Sequence, residues 1–362
     1  MRAAVTTTYG APVEIADDVV CAEPGEGQVR VRIRHCGICH SDLHMGGELT
    51  PLPLVAGHEV AGEVESIGPG GSDLRPGDHV VLTPMPSCGR CRACTGGHPS
   101  VCMRTKGWMS GVLPDGTVPF TRGGAPLYRG NGIGGWAEQV VVTADAAIRV
   151  ADDVPLDLAC LLGCALQTGV GAALNTAAVP PGASVLVMGL GAIGLSVVQG
   201  ARIAGAVLVI ASDPVAERRE LALALGATDV LDPTTEDVVR LARAMSDGGV
   251  DFAFDAAGSP ALAAAGVIAT RPGGAVVLVG TPRGTLDGIS AGQLVVQEKR
   301  LLGCMLGSSH AARDIPRLVS FWRTGALNLD LMVTRRCSLD GVNQGLDDIR
   351  AGRGVRSVVK LA

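Results

Sequence analysis

The chain has 362 residues, 47% of them hydrophobic and 18% charged, with a formal net charge of −5. That mixture is globular and not disordered, and the length suggests about two domains. No basic block is present to meet a nucleic-acid backbone. No apolar run reaches the roughly 20 residues of a membrane span, so neither nucleic acid nor membrane is an expected partner.

The opening MRAAVTTTYG lacks the apolar core of a secretory signal, so a cytoplasmic location is expected. There, eleven cysteines point to metal binding or catalysis before disulfides. In chain order, QVRVRIRHCG, GHEVAGEVESIG and GDHVVLTP read as strands, with a turn at Pro76-Gly77-Asp78. Residues 88–136 are irregular and rich in Gly, Pro and Cys. A loop that long is functional or is held by something. GGWAEQVVVTADAAIRVAD returns to strand patterning, and LDLACLLGCALQTGVGAAL has helical spacing.

After the breaker Pro180-Pro181-Gly182 come the buried strands SVLVMG, VLVIASD, DFAFDAAG, GGAVVLVG and RLLGCMLG. Helical segments separate most of them, including TEDVVRLARAM and PVAERRELALALGA with Pro214 in its first turn. The alternation predicts βαβ units and an open parallel sheet. The tail from about Ser309 reads helix, strand, helix, strand.

Three constellations carry chemistry. Cys88, Cys91, Cys94 and Cys102 stand as C-x2-C-x2-C-x7-C. Four thiolates at that density suit a closed tetrahedral zinc, with an iron–sulfur cluster as the rival. Cys39 in CGICHSDLH, His58 with Glu59 in GHE, and Cys164 in LGCALQTG could form a Cys2His zinc set left open to water. Taken singly, each has an ordinary structural explanation, and spacing cannot show that they converge. Gly189, Gly191 and Gly194 form G-x-G-x-x-G between a buried strand and a helix, the context of a dinucleotide fingerprint. Asp213, nineteen residues past Gly194, would accept from the adenosine ribose and favour NAD over NADP. Arg218 could relax that preference, and Asp213 could equally cap the following helix.

Taken together, CGICHSDLH, GHEVAGEVESIG, GDHV, the four-cysteine lobe, LGCALQTGVGAALNTA, GLGAIG and the closing GVRSVV resemble the zinc-dependent alcohol dehydrogenases of the medium-chain dehydrogenase/reductase superfamily. The resemblance covers essentially the whole chain and looks closest to the actinobacterial and class III-like branch. That branch includes thiol-adduct formaldehyde dehydrogenases and enzymes that hold their nicotinamide cofactor tightly.

The resemblance implies a Rossmann doubly wound parallel sheet over 166–305. It also implies a discontinuous chaperonin-10-like β-barrel catalytic domain over 1–165 and 306–362, with a structural zinc lobe and the active site in the cleft between the domains. Cys39, His58 and Cys164 would bind the catalytic zinc, with Glu59 close behind. Asp42 would orient the imidazole of His58. Ser41 would take the proton of the zinc-bound alcohol, and His44 would pass it on through the cofactor ribose. His40 and Arg356 would lie near the pyrophosphate. Thr168 and Ile193 would pack on the nicotinamide, and Val279 with 304–306 would hold its carboxamide. Two Zn2+ per chain and a homodimer, or else a tetramer, follow from the same resemblance.

The function expected is hydride transfer between a primary alcohol/aldehyde pair and NAD. One alternative is a thiol-adduct formaldehyde dehydrogenase, for which Arg104, Lys106, Arg122 and Arg129 could face an anionic thiol. Another is a non-catalytic zinc- and nucleotide-binding scaffold, against which the relay residues Ser41 and His44 argue. Reduction of a conjugated double bond is disfavoured because zinc ligands and relay are both whole. Aromatics are only 2% of the chain, so Trp108, Phe120, Tyr128 and Trp136 in or beside the 104–135 segment are candidate pocket or interface residues.

Overall fold

The structure is a computed structural model that describes residues 1–45, 50–105, 108–281 and 284–361. It divides into two compact units. The first holds Met1–Cys164, His310–Ser320 and Met332–Ala362, and the second holds Ala165–Ser309 and Phe321–Leu331. The sequence suggests one return of the chain, at 306. The structure has two, at His310 and Met332.

The first unit is built on the strand Gln28–Ile38. Its period-two pattern buries Val29, Val31 and Ile33 and turns the intervening arginines to the other face. There Arg30 and Arg32 pair with Glu65, at 3.0 and 2.6 Å, and Arg34 pairs with Glu63 at 2.9 Å. The strand pairs antiparallel with Glu59–Ile67, Gln139–Thr143 and Arg356–Lys360. A second sheet runs Glu14–Ala16, Ala3–Thr6, Leu54–Val55, Ala125–Arg129, Phe120–Arg122, Val19–Cys21. One core joins the two sheets, and it contains Phe120 and Trp136. Both aromatic rings are thus core residues, whereas Trp108 and Tyr128 are half-buried.

The second unit carries six parallel strands: Ser184–Met188, Leu208–Ser212, Asp229–Leu231, Val250–Asp255, Thr270–Leu278 and Arg300–Gly303. Numbered in chain order, they lie 3-2-1-4-5-6, the Rossmann order. Val185, Leu186, Val187, Ile210 and Phe254 are fully buried, as expected of strands covered on both faces. The third strand, only three residues long, is absent from the sequence reading because it is too short for a periodic signal.

Two local expectations change. The helix after the second strand spans Ala216–Ala224, so Pro214 precedes it and does not sit in its first turn. The long helical pattern from Leu156 is broken into Leu156–Ala159, a 3-10 turn Cys160–Gly163 and a helix Ala165–Gly171. The break falls at Cys164, with φ −139 and ψ −74. Among the described residues no single helix is long and apolar enough to cross a membrane.

Candidate metal and dinucleotide sites

The strand Gln28–Ile38 ends one residue before Cys39, and the chain then winds into the 3-10 turn His40–His44. Asp42 closes that turn, accepting from the Cys39 backbone N–H with Oδ2 at 2.9 Å. Antiparallel pairing places Glu59 opposite Gly37, which brings His58 beside Cys39. Gly57, at φ +86, has no room for a side chain, because a Cβ there would lie 2.5 Å from Cδ1 of Trp136. The buried indole therefore fixes the backbone just ahead of His58. Cys164 arrives from the helix break.

The donor atoms of Cys39, His58, Glu59 and Cys164 all lie within 4.8 Å of one another. Two thiols, an imidazole and a carboxylate form a borderline-soft donor set that fits zinc. His58 Nδ1 lies 2.9 Å from Asp42 Oδ1, and its Nε2 lies 3.4 Å from Ser41 Oγ. Buried Glu59 meets buried Arg356 at 3.1 Å, although neither Glu59 oxygen has a hydrogen bond in good alignment. The resemblance puts Arg356 near a pyrophosphate. Here its guanidinium is 4% exposed, faces Glu59 and donates to the Ile38 carbonyl at 2.7 Å.

The electrostatics match a cation site. Hydrogen bonding with Cys164, together with the charges of Arg356 and His58, holds the Cys39 thiol well below its ordinary range against the effect of burial. Burial pushes the Glu59 carboxyl up to about 7, although Arg356 pulls the other way. Burial alone would lower His58, but the Asp42 carboxylate more than offsets it. A buried group of several acids and thiols is costly unless a positive charge balances it.

One neighbour is absent from the sequence reading. Asn131 is buried, with Nδ2 3.2 Å from Asp42 Oδ1 and 3.1 Å from His58 Nδ1. A trace of it exists in RGNGIGG, where an Asn between glycines suits a left-handed turn. Nothing in that pattern says what the turn would touch.

The four cysteines of the lobe also converge. Cys91 Sγ lies 3.5 Å from Cys94 Sγ and 3.9 Å from Cys102 Sγ. Four sulfurs about 2.3 Å from a tetrahedral zinc stand about 3.8 Å apart, while a disulfide needs about 2.05 Å. The backbone N–H groups of Cys88 and Met103 point at Cys102 Sγ and Cys91 Sγ, each at 3.4 Å. Backbone donors at Cys94 and Met103 draw the Cys91 thiol down to about 6. The fit to a closed four-thiolate site is good.

In the second unit, Gly189, at φ +90, turns the chain out of the first strand, and Gly191 precedes the helix Ala192–Ile203. A Cβ on Gly194 would lie 1.8 Å from the Gly189 carbonyl oxygen. A Cβ on Gly191 would meet nothing within 4 Å, so that side stays open to a ligand. Asp213 is buried, and both its oxygens are engaged: Oδ2 accepts from Leu190 N–H at 2.7 Å and Oδ1 from Val215 N–H at 2.9 Å. Arg218 Nη1 stands 3.8 Å from Asp213 Oδ2. Thr168 is buried in the helix Ala165–Gly171, and Ile193 is half-buried. Val279 donates its N–H to Asp255 O at 2.9 Å. His40, in the first unit, is exposed, with its ring 5.5 Å from that of His44.

Two of the four cations expected to meet a thiol adduct, Arg122 and Arg129, are committed elsewhere. Arg122 pairs with Glu14 and Asp18, at 2.7 and 2.8 Å. Arg129 is buried and donates to the carbonyls of Val112 and Gly132. Arg104 is exposed, and Lys106 lies outside the described residues.

A buried thiol–imidazole–carboxylate set and a Rossmann sheet with its glycine turn, carried in one chain, mark a zinc-binding, nucleotide-dependent dehydrogenase. The chain belongs to the zinc-dependent alcohol dehydrogenases of the medium-chain dehydrogenase/reductase superfamily: residues 25–152 match the alcohol dehydrogenase GroES-like domain and residues 192–322 the zinc-binding dehydrogenase domain. It is 37% identical to an NDMA-dependent alcohol dehydrogenase of Amycolatopsis methanolica, over 99% of this chain and 98% of the relative. It is 34% identical to an S-(hydroxymethyl)glutathione dehydrogenase of Paracoccus denitrificans, over 99% of each. In structure it is similar to the benzyl alcohol dehydrogenase of Acinetobacter calcoaceticus, with a TM-score of 0.94 at 35% identity, covering 100% of this chain and 99% of that one. The family carries zinc and a nicotinamide cofactor.

Proposed function

We propose that this chain oxidises a primary alcohol, or reduces its aldehyde, with NAD as hydride partner and two zinc ions per chain. The observation that carries the reading is the buried convergence of Cys39, His58, Glu59 and Cys164 within 4.8 Å, with a serine hydroxyl 3.4 Å from His58. When bound, zinc supplies Lewis acidity at an alcohol oxygen, and the nicotinamide supplies the hydride acceptor.

The residues divide the remaining work. Cys39, His58 and Cys164 hold the metal, and Cys88, Cys91, Cys94 and Cys102 hold the second. Asp42 orients His58. Ser41 accepts the alcohol proton, and the imidazole of His44 passes it towards solvent. Glu59, backed by Arg356, keeps a carboxylate in reserve beside the metal. Gly189, Gly191, Ile193 and Gly194 receive the dinucleotide with its pyrophosphate over the helix N-terminus, assisted by His40. Asp213, with Arg218 near it, meets the adenosine ribose and disfavours a 2′-phosphate. Thr168 and Val279 border the nicotinamide. A homodimer, or a tetramer, rests on the family resemblance alone.

A thiol-adduct substrate is the second reading, favoured by the name of the Paracoccus relative and opposed by the commitments of Arg122 and Arg129. The test is zinc content and NADH formation for the wild type and Cys164→Ala. The substrates are primary aliphatic and benzylic alcohols, and formaldehyde with and without a low-molecular-weight thiol. NDMA serves as a second acceptor, prompted by the Amycolatopsis relative. About two zincs in the wild type, one of them lost with activity in the variant, is the expected result. A single zinc that survives the substitution, with no alcohol oxidised, would move the scaffold reading to the front. Activity only with thiol present would select the adduct.

A further inference from the structure

Asn131 lies in the turn Gly130–Gly132 at φ 49, ψ 35, and is 2% exposed. Glycine adopts this left-handed conformation freely, and Asn does so more readily than most side chains. If backbone shape were the only requirement, a third glycine beside Gly130 and Gly132 would serve. The position instead carries a carboxamide aimed at Asp42 Oδ1, where its Nδ2 and the His58 Nδ1 stand 3.1 Å apart as two donors to one oxygen.

The chemistry of the three groups fixes their roles. The Asp42 carboxylate only accepts, so the amide presents Nδ2 to it, at 3.2 Å. His58 Nδ1, 2.9 Å from the same oxygen, must donate as well and therefore carries the ring proton. Nε2 is then the nitrogen with a lone pair to offer. Asp42 Oδ2 is held by the Cys39 N–H at 2.9 Å. Among the described residues the Asp42 carboxylate thus has three donors: the backbone of Cys39, the ring of His58 and Asn131. The first two belong to residues that bind metal in the reading above. Among the described donors, Asn131 alone comes from outside the set.

We propose that Asn131 is a positioning residue of this metal site. Its amide pins the Asp42 carboxylate, so that Asp42 holds His58 in the one tautomer and ring orientation that leaves Nε2 available. Outer partners of a ligating histidine typically govern metal affinity in this way. The inference rests on the reading that Cys39, His58 and Cys164 hold zinc, and it deepens that reading.

The experiment compares full-length wild type, Asn131→Gly and Asn131→Asp. Asn131→Gly keeps the left-handed backbone and removes the amide. Asn131→Asp keeps size and shape but turns a second acceptor on Asp42. Zinc release to a chromophoric chelator is followed for both zincs, and the ligand-field spectrum is recorded after cobalt replacement. We expect both variants to keep the four-cysteine zinc and their far-UV circular dichroism. They should bind the other zinc roughly 10- to 100-fold more weakly. Asn131→Asp should be the weaker binder, and the cobalt bands should shift in both.

Wild-type release and wild-type cobalt bands in Asn131→Gly would reduce Asn131 to a turn former and overturn the inference. Loss of both zincs and of folded structure in Asn131→Gly would also count against it, because positioning a ligand is not a folding requirement. A wild-type chain with one zinc, undisturbed by Cys164→Ala, would remove the zinc reading and this inference together.

Discussion

Gly194 leaves no space for even a methyl group, since its Cβ would lie 1.8 Å from the Gly189 carbonyl oxygen. Gly194→Ala should therefore force the dinucleotide turn open. The expected outcome is at least a tenfold weaker NAD titration by cofactor fluorescence, with both zincs retained; unchanged NAD affinity would show that the turn does not receive the cofactor. Asp251 gives a separate pH prediction. Burial pushes its carboxyl up, but donors from Ser184 N–H at 2.7 Å, Ser184 Oγ at 2.8 Å and Arg271 Nε at 2.7 Å leave it below the ordinary carboxylate range. A depressed folded-state value means that the stabilisation is complete above the unfolded value, about 3.9, and fades as pH falls through the lower folded value. Asp251→Asn should lower the melting temperature at neutral pH and flatten that part of the acid limb. An acid limb parallel to that of the wild type would refute the assignment. The candidate donors Cys39, His58, Glu59 and Cys164 were legible only as residue types within separate motifs, and their approach to within 4.8 Å was not, because it joins distant parts of the chain. Asn131 was not, because its role depends on a distance across 73 residues from His58 that no local pattern encodes.

Elements were legible where periodicity is strong. The buried strands Ser184–Met188, Leu208–Ser212 and Val250–Asp255 read directly from continuous apolar runs. The pattern from Leu156 misled, because small apolar residues on both sides of Cys164 continue the helical spacing through a backbone that does not. The lobe is legible for the opposite reason. Among residues 88–105 only Ser100 and Cys102 are buried, so little apolar surface holds the segment together. Burying one aliphatic side chain contributes about 2 kcal/mol, whereas a structural zinc in a small thiolate site contributes on the order of 10 kcal/mol. Chelation should therefore expose the lobe to limited proteolysis. Cleavage sites mapped by mass spectrometry are expected within 88–105 in the chelated protein and absent from the zinc-loaded one. Equal resistance in both states would mean that metal does not hold this segment.

On the scale of the whole chain, fold class and family were legible because several independent motifs fall in the right order. The division into units was legible only coarsely. A single return near 306 accounts for the tail strands, yet Phe321–Leu331 goes back to the nucleotide unit. That excursion is anchored by a side chain far away in sequence: Gln199 accepts from the Asn328 N–H at 2.7 Å. Alternating hydrophobicity marks which face of an element is buried, not which core it joins.

Asp213 bears on any attempt to redesign coenzyme choice. Exchanging an acidic residue for a neutral one at the end of the second strand is the obvious way to admit a 2′-phosphate. Here the same carboxylate also fastens Leu190, inside the glycine turn, and Val215, ahead of the next helix. Removing it would abolish the proposed repulsion and release both backbone amides in one stroke. On the proposed NAD reading, conversion to NADP would need a replacement that still accepts from both backbone amides, with the new positive charge introduced at a neighbouring position.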